Sequence, residues 1–114
     1  MRVIDRVYKR EGYVKKAVEI EEELYRQVYY LSENVFEARA SRIINMAFEH
    51  FINKKEYVAY KRPKGVDAVY RSLVIRKPFY DELMRIKETT GIPFNRLVNA
   101  SIKVFLEDFK SELK

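Results

Sequence analysis

Apolar residues recur along this chain with two spacings, and the change from one to the other marks its elements. Val18 and Ile20 alternate with polar neighbours, a period of two that puts both on one face of a strand. From Leu24 the spacing lengthens to Val28 and Leu31, one face of an amphipathic helix predicted over roughly Glu22–Glu33. After a turn, Ile43, Ile44, Ala47, Phe48, Phe51 and Ile52 predict a second helix. The same order then returns. Leu73 and Ile75 alternate as Val18 and Ile20 do, at an offset of 55 residues (73 − 18), and Phe79, Leu83 and Ile86 repeat Leu24, Val28 and Leu31 at that offset. Leu97, Val98, Ser101, Ile102, Phe105 and Leu106 match the second helix at an offset of 54 (97 − 43), so one turn is a residue shorter. The helices alone share only a periodicity; the matched strand ahead of each first helix carries the repeat.

Local signals fit these boundaries. Glu21–Glu23 place negative charge at a helix start, where the dipole favours it, and read as a solvated run. Pro78 suits the first turn of a helix over Pro78–Thr89, and Gly91 with Pro93 ends it. Asn34 is the matching terminator of the first copy. Ser41 and Asn95, each followed by Arg (Arg42, Arg96), are the expected N-caps of the second helices.

One strand with two short helices cannot bury enough apolar surface or satisfy a lone strand's backbone. Two such units can pair their strands antiparallel over four interlocked helices. The expected fold is therefore mainly α with a two-stranded antiparallel β-ribbon: two strand–helix–helix units in one chain, a one-chain pseudo-dimer. Val18, Ile20, Leu73 and Ile75 face the helices, and the opposite faces of both strands point to solvent. The expected organisation is an N-terminal arm over 1–14, a first unit over 15–52, a connector over 53–69, and a second unit with a helical extension over 70–114.

With this arrangement the sequence resembles the ribbon–helix–helix transcriptional regulators, the family of the Arc and MetJ repressors, over about residues 15–52 and 70–106. Its tandem form is similar to small regulators of archaea and their viruses. The resemblance implies a ribbon in the major groove, which is wide enough to admit it. The base-reading positions it implies are Lys15, Ala17 and Glu19 on one strand and Tyr70, Ser72 and Val74 on the other. Phosphates are expected at the second-helix starts, Ser41–Arg42 and Asn95–Arg96, where unpaired amides and the dipole favour an anion. Lys16 and Arg71 stand where the family tends to have an inward apolar residue, and are expected to reach phosphates instead. Ala17 and Val74 depart from the family's long polar reading residues; apolar contact with a thymine methyl suits them, and Glu19 suits a cytosine amino group. The strands differ, so a directional or imperfectly palindromic site is expected.

Charge sharpens this reading. Lys and Arg exceed Asp and Glu by 6, with a pI near 9.5. The excess is uneven: residues 1–16 carry net +4, 17–52 net −4, 53–69 net +3 and 70–114 net +3. The basic arm and connector can lie along nucleic acid or pack elsewhere, and Tyr57–Tyr60 within the connector can form an added strand.

Other chemistry is sparse. The chain has no Cys, which excludes disulfides, thiolate metal sites and cysteine nucleophiles and suits a reducing compartment. No apolar run approaches a membrane span and no signal-peptide pattern is present, so an intracellular, cytoplasmic protein is expected (host cytoplasm if viral). His50 is the single His and reads as structural or exposed rather than as a ligand. Tyr25, Tyr29, Tyr30 and Tyr80 have helical spacing and read as core-edge packing rather than base-stacking residues. Phosphate-loop, dinucleotide-binding, metalloprotease and nucleophile-elbow motifs are all missing. No catalysis, metal, cofactor, membrane partner or small-molecule substrate is expected.

The leading expectation is thus a sequence-specific double-stranded DNA-binding transcriptional regulator. The alternatives are a protein-interaction module, antitoxin-like or for assembly, and a DNA-packaging protein without sequence preference. Strands of neighbouring chains could also pair, which leaves open a homo-oligomer assembled on DNA.

Overall fold

The computed structural model describes residues 12–34, 39–55 and 64–110. Its elements are β1 (Tyr13–Glu21), α1 (Glu22–Asn34), α2 (Ala40–Lys54), β2 (Ala68–Arg76), α3 (Lys77–Thr90) and α4 (Phe94–Asp108). The protein is therefore mainly helical with a two-stranded antiparallel sheet. The connector's Tyr57–Tyr60 and Lys61–Pro63, and the arm up to Glu11, lie outside the described residues.

Each strand is rich in β-branched residues and runs into its helix without a loop. β1 pairs with β2 from Tyr13↔Arg76 to Glu21↔Ala68, with Ala17↔Ser72 at the centre. Both ribbon ends close in the same way. The Lys77 N–H donates to the Gly12 carbonyl at 2.6 Å, and the Glu22 N–H donates to the Asp67 carbonyl at 2.9 Å, pairs related by the 55-residue offset. Gly12 has φ +66, and a Cβ there would sit 3.4 Å from Cβ of Lys77, so a glycine suits this closure.

One ribbon face is dry. Val18, Ile20, Leu73 and Ile75 are buried in a single core cluster with Val28 and Leu31 of α1, Leu83 and Ile86 of α3, and the inner faces of α2 and α4. From α2 come Ile43, Ile44, Ala47, Phe48 and Phe51; from α4 come Leu97, Val98, Ser101, Ile102 and Phe105. Ser101 is tolerated at 0% exposure because its hydroxyl donates to the Leu97 carbonyl at 2.7 Å. The halves interlock: α4 of the second half packs against β1, and α2 of the first against β2.

Several sequence expectations shift. The ribbon starts at Tyr13, two residues earlier than the expected unit boundary, and β2 starts at Ala68. The connector shortens accordingly, since α2 continues to Lys54 and ends at Lys55 in the left-handed region (φ 59). Ser41 and Asn95 are not N-caps: Arg39 and Pro93 hold those positions, and neither makes a side-chain cap bond. At α4 the cause is Phe94, which packs against Tyr80 with ring centroids 5.6 Å apart and so takes the first helical position. Glu21 is not solvated; it is the last strand residue and only 5% exposed. Tyr25 and Tyr80 pack at the core edge as expected, but Tyr29 and Tyr30 stay 51% and 60% exposed. The Tyr29 hydroxyl hydrogen-bonds the Glu33 carboxylate, which raises its pKa.

Gly91 caps α3 in the left-handed region (φ 78), its N–H donating to the Lys87 carbonyl at 2.8 Å. Asn34 is the last described residue of α1, and its side-chain amide donates to the Tyr30 carbonyl at 3.0 Å.

Candidate nucleic-acid interface

The register places all six expected base-reading residues on the ribbon face turned away from the core. They form three successive cross-strand pairs, Lys15↔Val74, Ala17↔Ser72 and Glu19↔Tyr70. Lys15, Ala17, Ser72 and Tyr70 are exposed, the last at 69%, while Glu19 and Val74 are partly so. Tyr13↔Arg76 extends the same face by one pair.

This face is fixed to the helices by two asparagines that the sequence reading did not single out. Asn99 of α4 accepts the Glu21 N–H at Oδ1 (2.8 Å) and donates from Nδ2 to the Glu19 carbonyl (2.9 Å). Asn45 of α2 accepts the Arg76 N–H at Oδ1 (3.0 Å) and donates from Nδ2 to the Val74 carbonyl (2.9 Å). A carboxamide has the donor–acceptor pattern of a peptide group, so each asparagine continues the ladder at a ribbon edge that has no neighbouring strand among the described residues. Both Nδ2 groups also donate one turn back along their own helix, Asn45 to Ser41 (2.8 Å) and Asn99 to Asn95 (2.7 Å). A single amide nitrogen therefore ties each second-helix start to the ribbon edge. A signal for this was present: Asn disfavours helix interiors, yet Asn45 and Asn99 recur at the 54-residue offset inside apolar runs.

The two helix starts thereby flank the outward face. In α4 the first intrahelical bond runs from the Leu97 N–H to Pro93 (3.1 Å), so the amides of Phe94, Asn95 and Arg96 precede it. In α2 the Arg42 N–H already donates to the Arg39 carbonyl at 3.0 Å, so the amides that precede the first intrahelical bond are those of Ala40 and Ser41. Arg39, Arg42, Asn95 and Arg96 are exposed. The Asn95 side chain is engaged, its Oδ1 accepting the Glu19 N–H at 3.3 Å.

Lys16 and Arg71 have inner-face partners, Leu73 and Val18, as their place in the pattern required. Their long side chains carry the charge out of the core and over aromatic rings. Lys16 Nζ lies 5.2 Å from the Phe94 ring centre, and the Arg71 guanidinium 4.9 Å from that of Tyr25. Arg76 stands similarly over Phe79 at 5.3 Å. Lys16 is thus adjacent to the α4 start.

Elsewhere, His50 Nε2 lies 2.7 Å from Asp108 Oδ2, which also accepts from Lys54 Nζ at 2.8 Å. These bonds hold the Asp108 pKa below the usual carboxylate value, Lys54 contributing most. A groove of about 390 Å³ runs between α1 and the end of α4, lined by residues including Leu24, Tyr30, Leu31 and Leu106. Among the described residues no cluster of His, Asp and Glu could hold a metal ion, and no helix is long and apolar enough to cross a membrane.

Comparison with known proteins returns nothing: no family model, no curated protein and no solved structure matches the chain.

Proposed function

We propose that this chain is a sequence-specific double-stranded DNA-binding transcriptional regulator of the ribbon–helix–helix kind, with two tandem units folded as a pseudo-dimer. One observation carries the reading. A solvent-facing two-stranded ribbon is held, by Asn45 and Asn99, between two helix N-termini that bear exposed arginines. A two-stranded ribbon fits the major groove, and helix N-termini on either side of it suit the flanking phosphates. In this reading Lys15, Ala17, Glu19, Tyr70, Ser72 and Val74 meet base edges. The amides at Ala40–Ser41 and Asn95–Arg96, with Arg42, Arg96, Lys16 and Arg71, meet phosphate.

A protein-interaction role has one observation in its favour. Part of the ribbon face is apolar or acidic (Ala17, Val74, Glu19), which suits a polypeptide as well as a duplex. Titrating the chain with selected and random duplexes at two salt concentrations separates the readings. A regulator binds the selected duplex more tightly, and its affinity falls steeply with salt. Equal binding to all duplexes indicates packaging, and none indicates the protein-interaction role. Arg42→Ala and Arg96→Ala should each weaken binding to every duplex and lower the salt slope by about one. Unchanged affinity and slope in both would refute the phosphate contacts.

A further inference from the structure

The ribbon face has two chemically opposite ends. The 55-residue offset sends Ala17 to Ser72, its own cross-strand partner, so this pair is the centre about which the strands exchange. That exchange swaps Lys15 with Tyr70 and Glu19 with Val74. A face built from identical strands would present the same pair at both ends, whereas this one presents Lys15/Val74 at one and Glu19/Tyr70 at the other.

The surroundings deepen the contrast. At the first end Asn45 Nδ2 bonds both the Val74 and Ser41 carbonyls, which brings the α2 start with Arg39 and Arg42 beside Val74 and Lys15. Arg76 follows on the same face. At the second end Asn99 Nδ2 bonds the Glu19 and Asn95 carbonyls, so Arg96 stands beside Glu19, with the buried carboxyl of Glu21 just beyond. One end is cationic and the other mixes acid with base.

We propose that the chain engages DNA in a single orientation and that Glu19, at the end of the face opposite Lys15, sets it. The inference rests on the DNA-binding reading above. Lys15 is a donor only and suits the paired acceptors of a guanine edge, with Val74 against a thymine methyl. Glu19 accepts only. It suits a cytosine or adenine amino group and is repelled by the guanine O6 and N7 that Lys15 takes. Turning the duplex end for end sets Glu19 against guanine acceptors and leaves Lys15 facing amino groups. Each mismatched contact should cost on the order of tenfold in affinity.

The test starts with selection from a random duplex pool by the wild-type chain, which should yield a site with unlike halves. The chain contains no Cys, so Lys64→Cys, in the exposed turn ahead of the Glu19/Tyr70 end, can carry a tethered cleavage reagent. On the selected duplex it should cut one flank only. The double change Glu19→Val/Tyr70→Lys gives both ends the Lys–Val pair. This variant should prefer, by roughly tenfold or more, a palindrome built from the half-site of the Lys15/Val74 end, and should cut both flanks. If it folds poorly by circular dichroism, Glu19→Gln replaces it, keeping size and removing charge. That variant should lose discrimination in its own half-site only. A wild-type chain that selects a palindrome or cuts both flanks equally overturns the orientation proposal but leaves DNA binding standing, as does Glu19→Gln with unaltered discrimination. A chain that prefers no duplex overturns the underlying reading and this proposal with it.

Discussion

The halves Tyr13–Lys54 and Ala68–Asp108 are alike where they are buried and unlike where the ribbon meets solvent. Val18 answers Leu73, Ile44 answers Val98, Phe51 answers Phe105, and even the half-buried Ile52 has its counterpart in Leu106. Asn45 answers Asn99, each bonding a carbonyl and an N–H two residues apart on the strand of the opposite half. On the outward face every position differs: Lys15 and Tyr70, Ala17 and Ser72, Glu19 and Val74. Close packing and the need to satisfy buried polar groups restrict what the inner positions accept. The solvent face is under neither constraint, so differences there cost the fold little and alter what the face can bind.

The largest effects should come from breaking the likeness inside. Phe48→Ala should lower unfolding free energy by about 3–5 kcal/mol in urea titration, and its smaller counterpart Ile102→Ala by about 2–5 kcal/mol. Both lie in the α2–α4 core, so one cooperative transition should persist; separate transitions for the halves would show that they fold independently. Next come the asparagines. Asn99→Ala removes the bonds to the Glu21 N–H and the Glu19 carbonyl and should cost about 1–3 kcal/mol. Asn45→Ala should cost no more, because its bonds to β2 are only part-buried. Hydrogen exchange should rise at Glu21 in the first variant and at Arg76 in the second; exchange unaltered at those amides would mean that the clamps are dispensable.

Helix ends offer a smaller contrast. α3 ends on Gly91 in the left-handed region, whereas α2 ends on Lys55 in the same conformation without a glycine's freedom. Lys55→Gly should therefore raise stability by about 0.5–1 kcal/mol, read as a higher urea midpoint.

The smallest effect concerns the link between α2 and α4 through Asp108. Its pKa is lowered in the folded chain by Lys54 and His50, so its carboxylate stabilises the fold above the unfolded pKa. That contribution disappears as pH falls through the folded value. The gap in urea midpoint between wild type and Asp108→Asn should close as pH drops below about 4. A gap independent of pH would show that the ion pairs contribute nothing. Asp108 is partly solvated, so salt should shrink the gap as well.

Much of the fold was legible because it follows from local periodicity. Alternation at Val18/Ile20 and Leu73/Ile75 fixed strand faces, and helical spacing fixed the buried stripes of all four helices to within a residue or two. The outward positions of the candidate site followed from the same alternation. Its supports did not. Asn45 and Asn99 look like poor helix residues until a strand edge from the other half lies against them. The cap role assigned to Asn95 failed where Phe94 packs on Tyr80, a contact across a turn that spacing does not record.

By itself, then, the sequence determined the order of elements, their approximate bounds and which side of each is apolar, since these depend on side-chain period and backbone preference over a few residues. Only the tertiary structure decided the register that sets Ala17 against Ser72, the exchange of clamps between halves, the burial of Glu21, and the gathering of Arg39, Arg42, Lys15 and Arg76 at one end of the ribbon. Those features arise from pairing between segments about 55 residues apart, where one chain position acquires its chemistry from another.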